Sequence, residues 1–187
     1  LPAIRASLLL DARAIFDGLI AYDKNLSEFE PRLAERWEVA ENGLEIVFHL
    51  RRDVRWHDGV PFTARDVEFA FRTITHPDTL TAYAEDYRQV ERFEVVDDYT
   101  IRVTYRQPFA PALGSWASSL VVLPKHLLDG KPINDHARDF GRHPVGLGPY
   151  RFESWKSQKQ ISLRANHDYY RGRPHIERAV TRVIPDT

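Results

Sequence analysis

Residues 33–67 constrain the fold more than any other part of the chain, because they hold two turn signals and a helix start in quick succession. Asn42-Gly43 predicts a tight hairpin turn, since both residues accept a positive φ. Apolar side chains then recur at every second position, at Leu44, Ile46, Phe48 and Leu50. This period predicts a strand with one buried face. After a second turn, Thr63 and Asp66 have the spacing of a capping box, which predicts a helix that begins there.

The rest of the chain shows the same mixture of hairpins and separate helices. Alternating apolar residues predict hairpins over 90–96 with 100–105 and over 150–155 with 160–164, and a last strand over 180–184. Helical spacing and start or stop signals predict helices over 12–20, from 64 to His76-Pro77, over 83–87 and over 110–119, and a helix whose first residue is Pro124. Because strands and helices do not alternate regularly, the sequence favours the α+β class.

Composition excludes several classes of protein. The 187 residues carry 26 Lys and Arg against 27 Asp and Glu, and this balance argues against nucleic acid as the main partner. The absence of cysteine excludes disulfides, thiolate metal sites and a cysteine nucleophile. No apolar run reaches the roughly 18 residues that a membrane-spanning helix needs. The chain starts at Leu1 and contains no methionine, so we expect a mature or trimmed piece of a longer protein.

The motifs that mark common catalytic sites are missing from the sequence. There is no HExxH zinc motif and no Gly-x-Ser-x-Gly nucleophile motif, and the acidic residues are too dispersed for a carboxylate pair to be chosen. Gly146-Leu147-Gly148 lacks the third glycine of a dinucleotide-binding loop. We interpret it as a tight turn into a strand, in which glycine supplies an unusual φ.

Aromatic residues are the more suggestive feature. The chain has four Trp, eight Tyr and ten Phe, and most of them fall at core-facing positions of predicted elements. Tyr83, Tyr87 and Trp116 instead fall in weakly patterned segments, where aromatic side chains are typical of ligand-cleft walls. The alternative is that these three residues cover the edge of the core.

Four ordered blocks of sequence resemble the family 5 extracellular solute-binding proteins, which are receptors of ABC importers. The blocks lie at 33–67, 95–111, 121–127 and 146–174. Their most typical strings are Trp56-His57-Asp58-Gly59, Leu123-Pro124-Lys125-His126 and Gly146-Leu147-Gly148-Pro149-Tyr150. Four blocks in the family's order and spacing are far more specific than any one of these motifs.

The resemblance implies a periplasmic-binding-protein-like fold, in which two lobes close on a solute. This chain is then expected to be part of lobe I, a mixed sheet with hairpins and flanking helices, and to lack the second lobe. Residues from about 30 to 135 would form the smaller subdomain that is specific to the family. Residues 1–29 and 136–187 would belong to the larger subdomain that lines the cleft.

The function implied is the substrate-binding component of an ABC transporter that captures an oligopeptide or a similar polar solute. Such a protein needs no catalysis and no cofactor, works with permease subunits, and is periplasmic or extracellular and membrane-associated. Nickel-binding members carry an arginine near the place of Leu120, so no metal is expected here. The candidate ligand-binding residues are Tyr83, Tyr87, Trp116, Ser118 and Ser119.

Two other classes stay open at this point. The same fold occurs as the solute-sensing domain of cytosolic transcription regulators, where it is fused to a DNA-binding domain, and the sequence upstream of Leu1 would distinguish the two. A hydrolase is the other alternative, although this sequence contains no nucleophile motif. The oligomeric state cannot be inferred from the sequence.

Overall fold

The computed structural model describes residues 13–79, 81–132, 140–156 and 159–182. Its strands are β1 (Ile20–Tyr22), β2 (Phe29–Pro31), β3 (Ala34–Val39), β4 (Glu45–Leu50), β5 (Val90–Asp97), β6 (Thr100–Tyr105), β7 (Tyr150–Lys156), β8 (Gln160–Ala165) and β9 (Arg178–Arg182). Its α-helices are α1 (Ala64–Ile74), α2 (Ala112–Ser118) and α3 (Lys125–Leu128), with short 3₁₀ helices at Ala82–Tyr87 and Phe140–Arg142. The mixture of separate helices and antiparallel strands confirms the α+β prediction.

The first predicted hairpin forms one side of a four-stranded antiparallel sheet in the order β3-β4-β6-β5. Its turn is held by the Asn42 side chain, which accepts the Leu44 N–H at 3.0 Å, and by Gly43 at a φ of +68°. The alternation in β4 places Ile46, Phe48 and Leu50 in the core, as predicted. The predicted β5–β6 hairpin completes the sheet, and Ile101, Val103 and Tyr105 of β6 are buried on the same side.

The capping box at the start of α1 is also confirmed. The Asp66 carboxylate accepts the Thr63 N–H at 2.9 Å, and its other oxygen accepts the Lys125 N–H at 3.1 Å. Burial raises the pKa of Asp66, and the two N–H bonds act in the opposite direction. The same side chain thus fixes the starts of both α1 and α3. Pro124 precedes α3 as its N-cap, one position earlier than predicted.

The predicted helix over 12–20 is wrong beyond residue 15. Residues 13–15 are helical, residues 16–18 have no regular secondary structure, and β1 begins at Ile20. The reason is tertiary pairing: the Gly18 and Leu19 carbonyls accept the Leu33 and Ala34 N–H groups at 3.2 and 2.9 Å. The last strand also begins earlier than predicted, at Arg178, and residues 183–187 lie outside the described part of the chain.

A three-stranded antiparallel sheet, β7-β8-β9, forms the second sheet region, and β7–β8 is the predicted third hairpin. The turn before it contains Gly146 and Gly148, and neither has a left-handed φ, so the predicted reason for these glycines is wrong. They are required by close approach. A Cβ at Gly146 would lie 1.9 Å from the Ile15 carbonyl oxygen, and a Cβ at Gly148 would lie 2.7 Å from it.

Candidate functional site

The candidate site is a pocket of about 300 Å³ between the β1–β2 hairpin, the 3₁₀ helix at Ala82–Tyr87 and α2. Its lining combines aromatic rings, one carboxylate, serine groups and small residues: Tyr22, Phe29, Asp86, Ala110, Pro111, Gly114, Ser115 and Ser118. Ligand pockets typically pair apolar and aromatic walls with a small number of polar groups that fix orientation. The lining therefore has the composition expected of a small-solute site.

The aromatic wall is built by the β1–β2 hairpin. Tyr22 and Phe29 face each other across the two strands, with ring centroids 4.8 Å apart. The Tyr22 hydroxyl reaches over α2 at Gly114, where a Cβ would lie only 2.7 Å from that oxygen. Glycine at this position thus allows the ring to close one side of the pocket.

The polar wall is built by α2 and the 3₁₀ helix. The Ser119 hydroxyl donates a hydrogen bond to the half-buried Asp86 carboxylate, which holds this acid at the pocket. The Ser118 hydroxyl donates to the Gly114 carbonyl at 2.6 Å, within α2. The pocket therefore offers a carboxylate, which is a pure acceptor, and a hydroxyl that can turn toward a bound group.

The candidate residues predicted from the sequence occupy different places. Ser118 lines the pocket, and Ser119 touches it through Asp86. Tyr83 is 53% exposed and does not line this pocket. Tyr87 and Trp116 are 2% and 0% exposed, which places both in the core.

The buried polar atoms of these two aromatic residues bond to the protein itself. The Tyr87 hydroxyl donates to the Ser115 carbonyl at 3.1 Å, and the Trp116 indole N–H donates to the Tyr105 hydroxyl at 2.7 Å. Burial raises the pKa of Tyr87 well above its usual value. Trp116 packs against Phe48, Phe71, Tyr87 and Phe93, so it joins the β-sheet, α1 and α2 in one aromatic cluster.

Apart from Ser118, the lining residues were not predicted from the sequence, and Tyr22, Phe29 and Asp86 are the most informative of them. Tyr22 and Phe29 lie in the short strands β1 and β2, which were not predicted. Asp86 lies between Tyr83 and Tyr87 in the weakly patterned segment. A carboxylate among candidate cleft aromatics was the available signal.

A second polar cluster joins the two sheet regions through His57. The His57 Nδ1 accepts the Gly146 N–H at 3.1 Å, and its Nε2 donates to the Gly148 carbonyl at 3.0 Å. This arrangement requires the neutral ring with its proton on Nε2, because a carbonyl only accepts. Burial lowers the pKa of His57 to about 4, and the nearby Arg151 charge acts in the same direction. His57 is thus a structural bridge in its neutral form.

We expect His57 to make folding stability depend on pH. Its pKa falls from 6.5 in the unfolded chain to about 4 in the folded one, so between these values the unfolded state binds the additional proton. Above pH 6.5 the ring is neutral in both states, and the contribution of His57 to the free energy of unfolding is fully present. Below pH 6.5 the free energy of unfolding decreases as the pH falls toward 4, by up to about 1.4 kcal/mol per pH unit. Urea unfolding at several pH values would measure this slope.

The matched variant for this experiment is His57→Gln, which removes the titrating ring. The variant is expected to be less stable at neutral pH and to show a shallower slope in the same pH window. All other titratable groups are shared by both proteins. Equal slopes in the two proteins would show that His57 is not the group responsible.

Across residues 13–79, 81–132, 140–156 and 159–182, no three His, Asp or Glu side chains are grouped so as to hold a metal ion. None of the helices in these ranges has the length and apolar character needed to cross a membrane.

Comparison with known proteins places this geometry in context. The family described as bacterial extracellular solute-binding proteins, family 5 Middle, matches residues 28–187. The oligopeptide-binding protein AppA of Bacillus subtilis is 32% identical over 156 residues, which cover 82% of this chain and 29% of AppA. The chain spans about a third of the length of the curated relatives that it matches. For a putative ABC transporter peptide-binding protein of Brucella ovis, this share is 32%.

Solved structures show the same similarity in three dimensions. AppA from Bacillus subtilis in complex with a nonapeptide superposes with a TM-score of 0.86 at 29% identity, covering 93% of this chain and 35% of AppA. NikZ from Campylobacter jejuni in complex with Ni(L-His) superposes with a TM-score of 0.85 at 30% identity, covering 92% of this chain and 34% of NikZ. The periplasmic-binding-protein-like fold predicted from the sequence is therefore confirmed.

Proposed function

We propose that this chain, which belongs to the bacterial extracellular solute-binding proteins of family 5, is part of lobe I of an ABC-importer receptor that captures an oligopeptide or a similar polar solute. The observation that carries the proposal is the family match over 28–187, together with the structural agreement with a nonapeptide-binding receptor. The resemblance found in the sequence and the family match agree.

The division into subdomains is part of this proposal. The four-stranded sheet, β3 to β6, falls inside the smaller subdomain of about 30–135, and the three-stranded sheet falls inside 136–187. The cluster around His57 joins a loop of the first region to the glycine turn that opens the second. In this arrangement the two regions behave as one lobe.

The pocket next to Ser118 is the proposed contribution of this chain to solute binding. It contains the polar and aromatic groups that a small solute needs. Binding proteins of two lobes hold solute between them, so one lobe supplies only part of the contacts. We therefore expect the second lobe to complete the site.

The proposal extends to partners and place. The complete receptor would deliver its solute to permease subunits of the transporter, in the periplasm or outside the cell, attached to the membrane. It would bind its solute without chemical change, as the names of the relatives, which describe binding proteins, suggest. No enzymatic role for the pocket is proposed.

The test is a titration of the 15N-labelled chain with trialanine, followed by NMR. We expect amide shifts at the pocket, in particular at Asp86 and Ser118, and a dissociation constant near 1 mM, which corresponds to roughly −4 kcal/mol. Absence of any shift in the pocket with tri- to pentapeptides at ~20 mM, about twenty times that constant, would contradict the proposed function. A dissociation constant below about 1 μM would contradict the single-lobe interpretation.

A further inference from the structure

We propose that the pocket selects a positively charged group of the solute, an ammonium or a guanidinium, and that Asp86 is the residue that determines this specificity. This inference rests on the proposed function, because it names the chemistry of the solute at the same site. It differs from that function in asking which side chains or amino groups the receptor prefers.

The Asp86 carboxylate is half-buried in the lining of the pocket. Its hydrogen bond from the Ser119 hydroxyl fixes its position, but a hydroxyl brings no charge to offset that of the acid. Within the described ranges, no Lys, Arg or His side chain forms an ion pair with Asp86. The neighbouring acid, Glu85, is in contrast paired with Arg88. A half-buried carboxylate without a cationic partner favours a cation that arrives with the solute.

The pocket also has an aromatic wall. The Tyr22 and Phe29 rings form the aromatic side of the pocket. The face of an aromatic ring attracts a cation, and this attraction adds about 0.5–1 kcal/mol at partly exposed sites. The stem of a Lys or Arg side chain is apolar and can pack on the same rings. Carboxylate and rings together thus suit a long, cationic side chain.

The rest of the lining carries no charged side chain. The remaining lining residues, Ala110, Pro111, Gly114, Ser115 and Ser118, are small and uncharged. A volume of about 300 Å³ has room for one long side chain. An acidic group of a solute would meet Asp86 without any lining cation to offset the repulsion. The pocket therefore discriminates by charge as well as by size.

The experiment compares two small probes that differ in one group. Nα-acetyl-lysine methylamide carries the ammonium, and Nα-acetyl-norleucine methylamide has a similar stem without it. NMR titration of the labelled chain is expected to show at least about tenfold tighter binding of the lysine probe, with shifts at Asp86 and Ser118. In Asp86→Asn, which keeps the shape of the side chain and an acceptor for Ser119, that preference is expected to fall to less than about twofold.

Glu85→Gln is the matched control. It removes one negative charge next to Asp86 in the sequence. The Glu85 side chain is paired with Arg88 and does not line the pocket. Its preference for the lysine probe is expected to stay at about tenfold. A second variant, Tyr22→Leu, removes one ring and is expected to reduce the preference about two- to fivefold.

The possible outcomes separate this inference from the proposed function. Equal binding of both probes by the natural chain, or an unchanged preference in Asp86→Asn, would overturn the charge selection while leaving solute binding intact. An equal loss of preference in Glu85→Gln would also overturn it, because the effect would then be a general field of negative charge. If trialanine and both probes all fail to bind, both the function and the inference are wrong.

Discussion

Replacing Gly146 by alanine is expected to destabilise the fold by about 3 to 4 kcal/mol, a large effect for the addition of one methyl group. The new Cβ would lie 1.9 Å from the Ile15 carbonyl oxygen and 2.7 Å from its carbonyl carbon. Both of these are backbone atoms, so no side chain can rotate away to make room. The segment at 13–15 would have to separate from the glycine turn.

The loss would spread through the contacts that depend on this approach. The Ile15 carbonyl accepts the Gly148 N–H at 2.8 Å, and the Gly146 N–H is the donor to His57. Moving either the 13–15 segment or the glycine turn weakens both hydrogen bonds, and a buried polar group without its partner costs about 1–3 kcal/mol. The bridge between the two sheet regions therefore fails together with the packing.

The matched control is Gly141→Ala, five positions earlier. A Cβ at Gly141 meets no atom within 4 Å, and its φ is not left-handed, so the change is expected to be within about 0.5 kcal/mol. Urea unfolding of both variants gives the free energies of unfolding. If Gly146→Ala unfolds at the same urea concentration as Gly141→Ala, the close approach to Ile15 is not a constraint on folding.

Gly146 also shows where sequence reasoning succeeds and where it stops. A glycine pair before a proline predicts a turn, and the turn is present. The reason for the glycines is not local, however, because the atoms that exclude a side chain come from Ile15, which is far away in the sequence. Periodicity and turn chemistry report on neighbours in the chain, and they contain no signal for such a contact.

The same distinction separates the predicted hairpins from the wrong helix. The hairpins around Asn42-Gly43 and over 90–105 depend on alternation and turn residues within one stretch, so the sequence is sufficient to predict them. The segment 16–20 has apolar residues at a helical spacing, but its backbone is taken up by hydrogen bonds to 32–34. Tertiary pairing overrides a local preference of well under 1 kcal/mol per residue.

The candidate site was predictable only in part for a related reason. Its lining comes from the β1–β2 hairpin, the 3₁₀ helix, the segment at 110–111 and α2, and no motif spans these pieces. Ser118 was predicted to bind ligand and lines the pocket, whereas Asp86 becomes significant only when Tyr22 and Phe29 are placed opposite it. That placement requires the fold.

Replacing Trp116 by alanine is expected to destabilise the protein by about 4 kcal/mol. The side chain is fully buried and packs in edge-on, stacked or tilted contact with four other rings, whose centroids lie between 5.1 and 6.2 Å from its own. Alanine would leave a large cavity at the point where the sheet, α1 and α2 meet. It would also leave the Tyr105 hydroxyl without its indole donor at 2.7 Å. Chemical unfolding of the variant measures the loss.

Trp155→Ala is the control, because Trp155 is 47% exposed on β7 and its removal is expected to cost less than about 1.5 kcal/mol.

Trp116→Phe tests whether Trp116 acts in the core or contacts the ligand. Phenylalanine keeps a six-membered ring in the cluster and loses the indole N–H together with the smaller ring, so this variant should fold with a smaller loss, about 1–2 kcal/mol. If Trp116 acts through the core, the folded phenylalanine variant is expected to bind the lysine probe with a dissociation constant within about twofold of that of the natural chain. This corresponds to a difference of at most about 0.4 kcal/mol in binding free energy. If the folded variant instead binds the lysine probe at least tenfold more weakly, a loss of about 1.4 kcal/mol, the result would support Trp116 as a ligand contact. Binding would then have changed independently of stability.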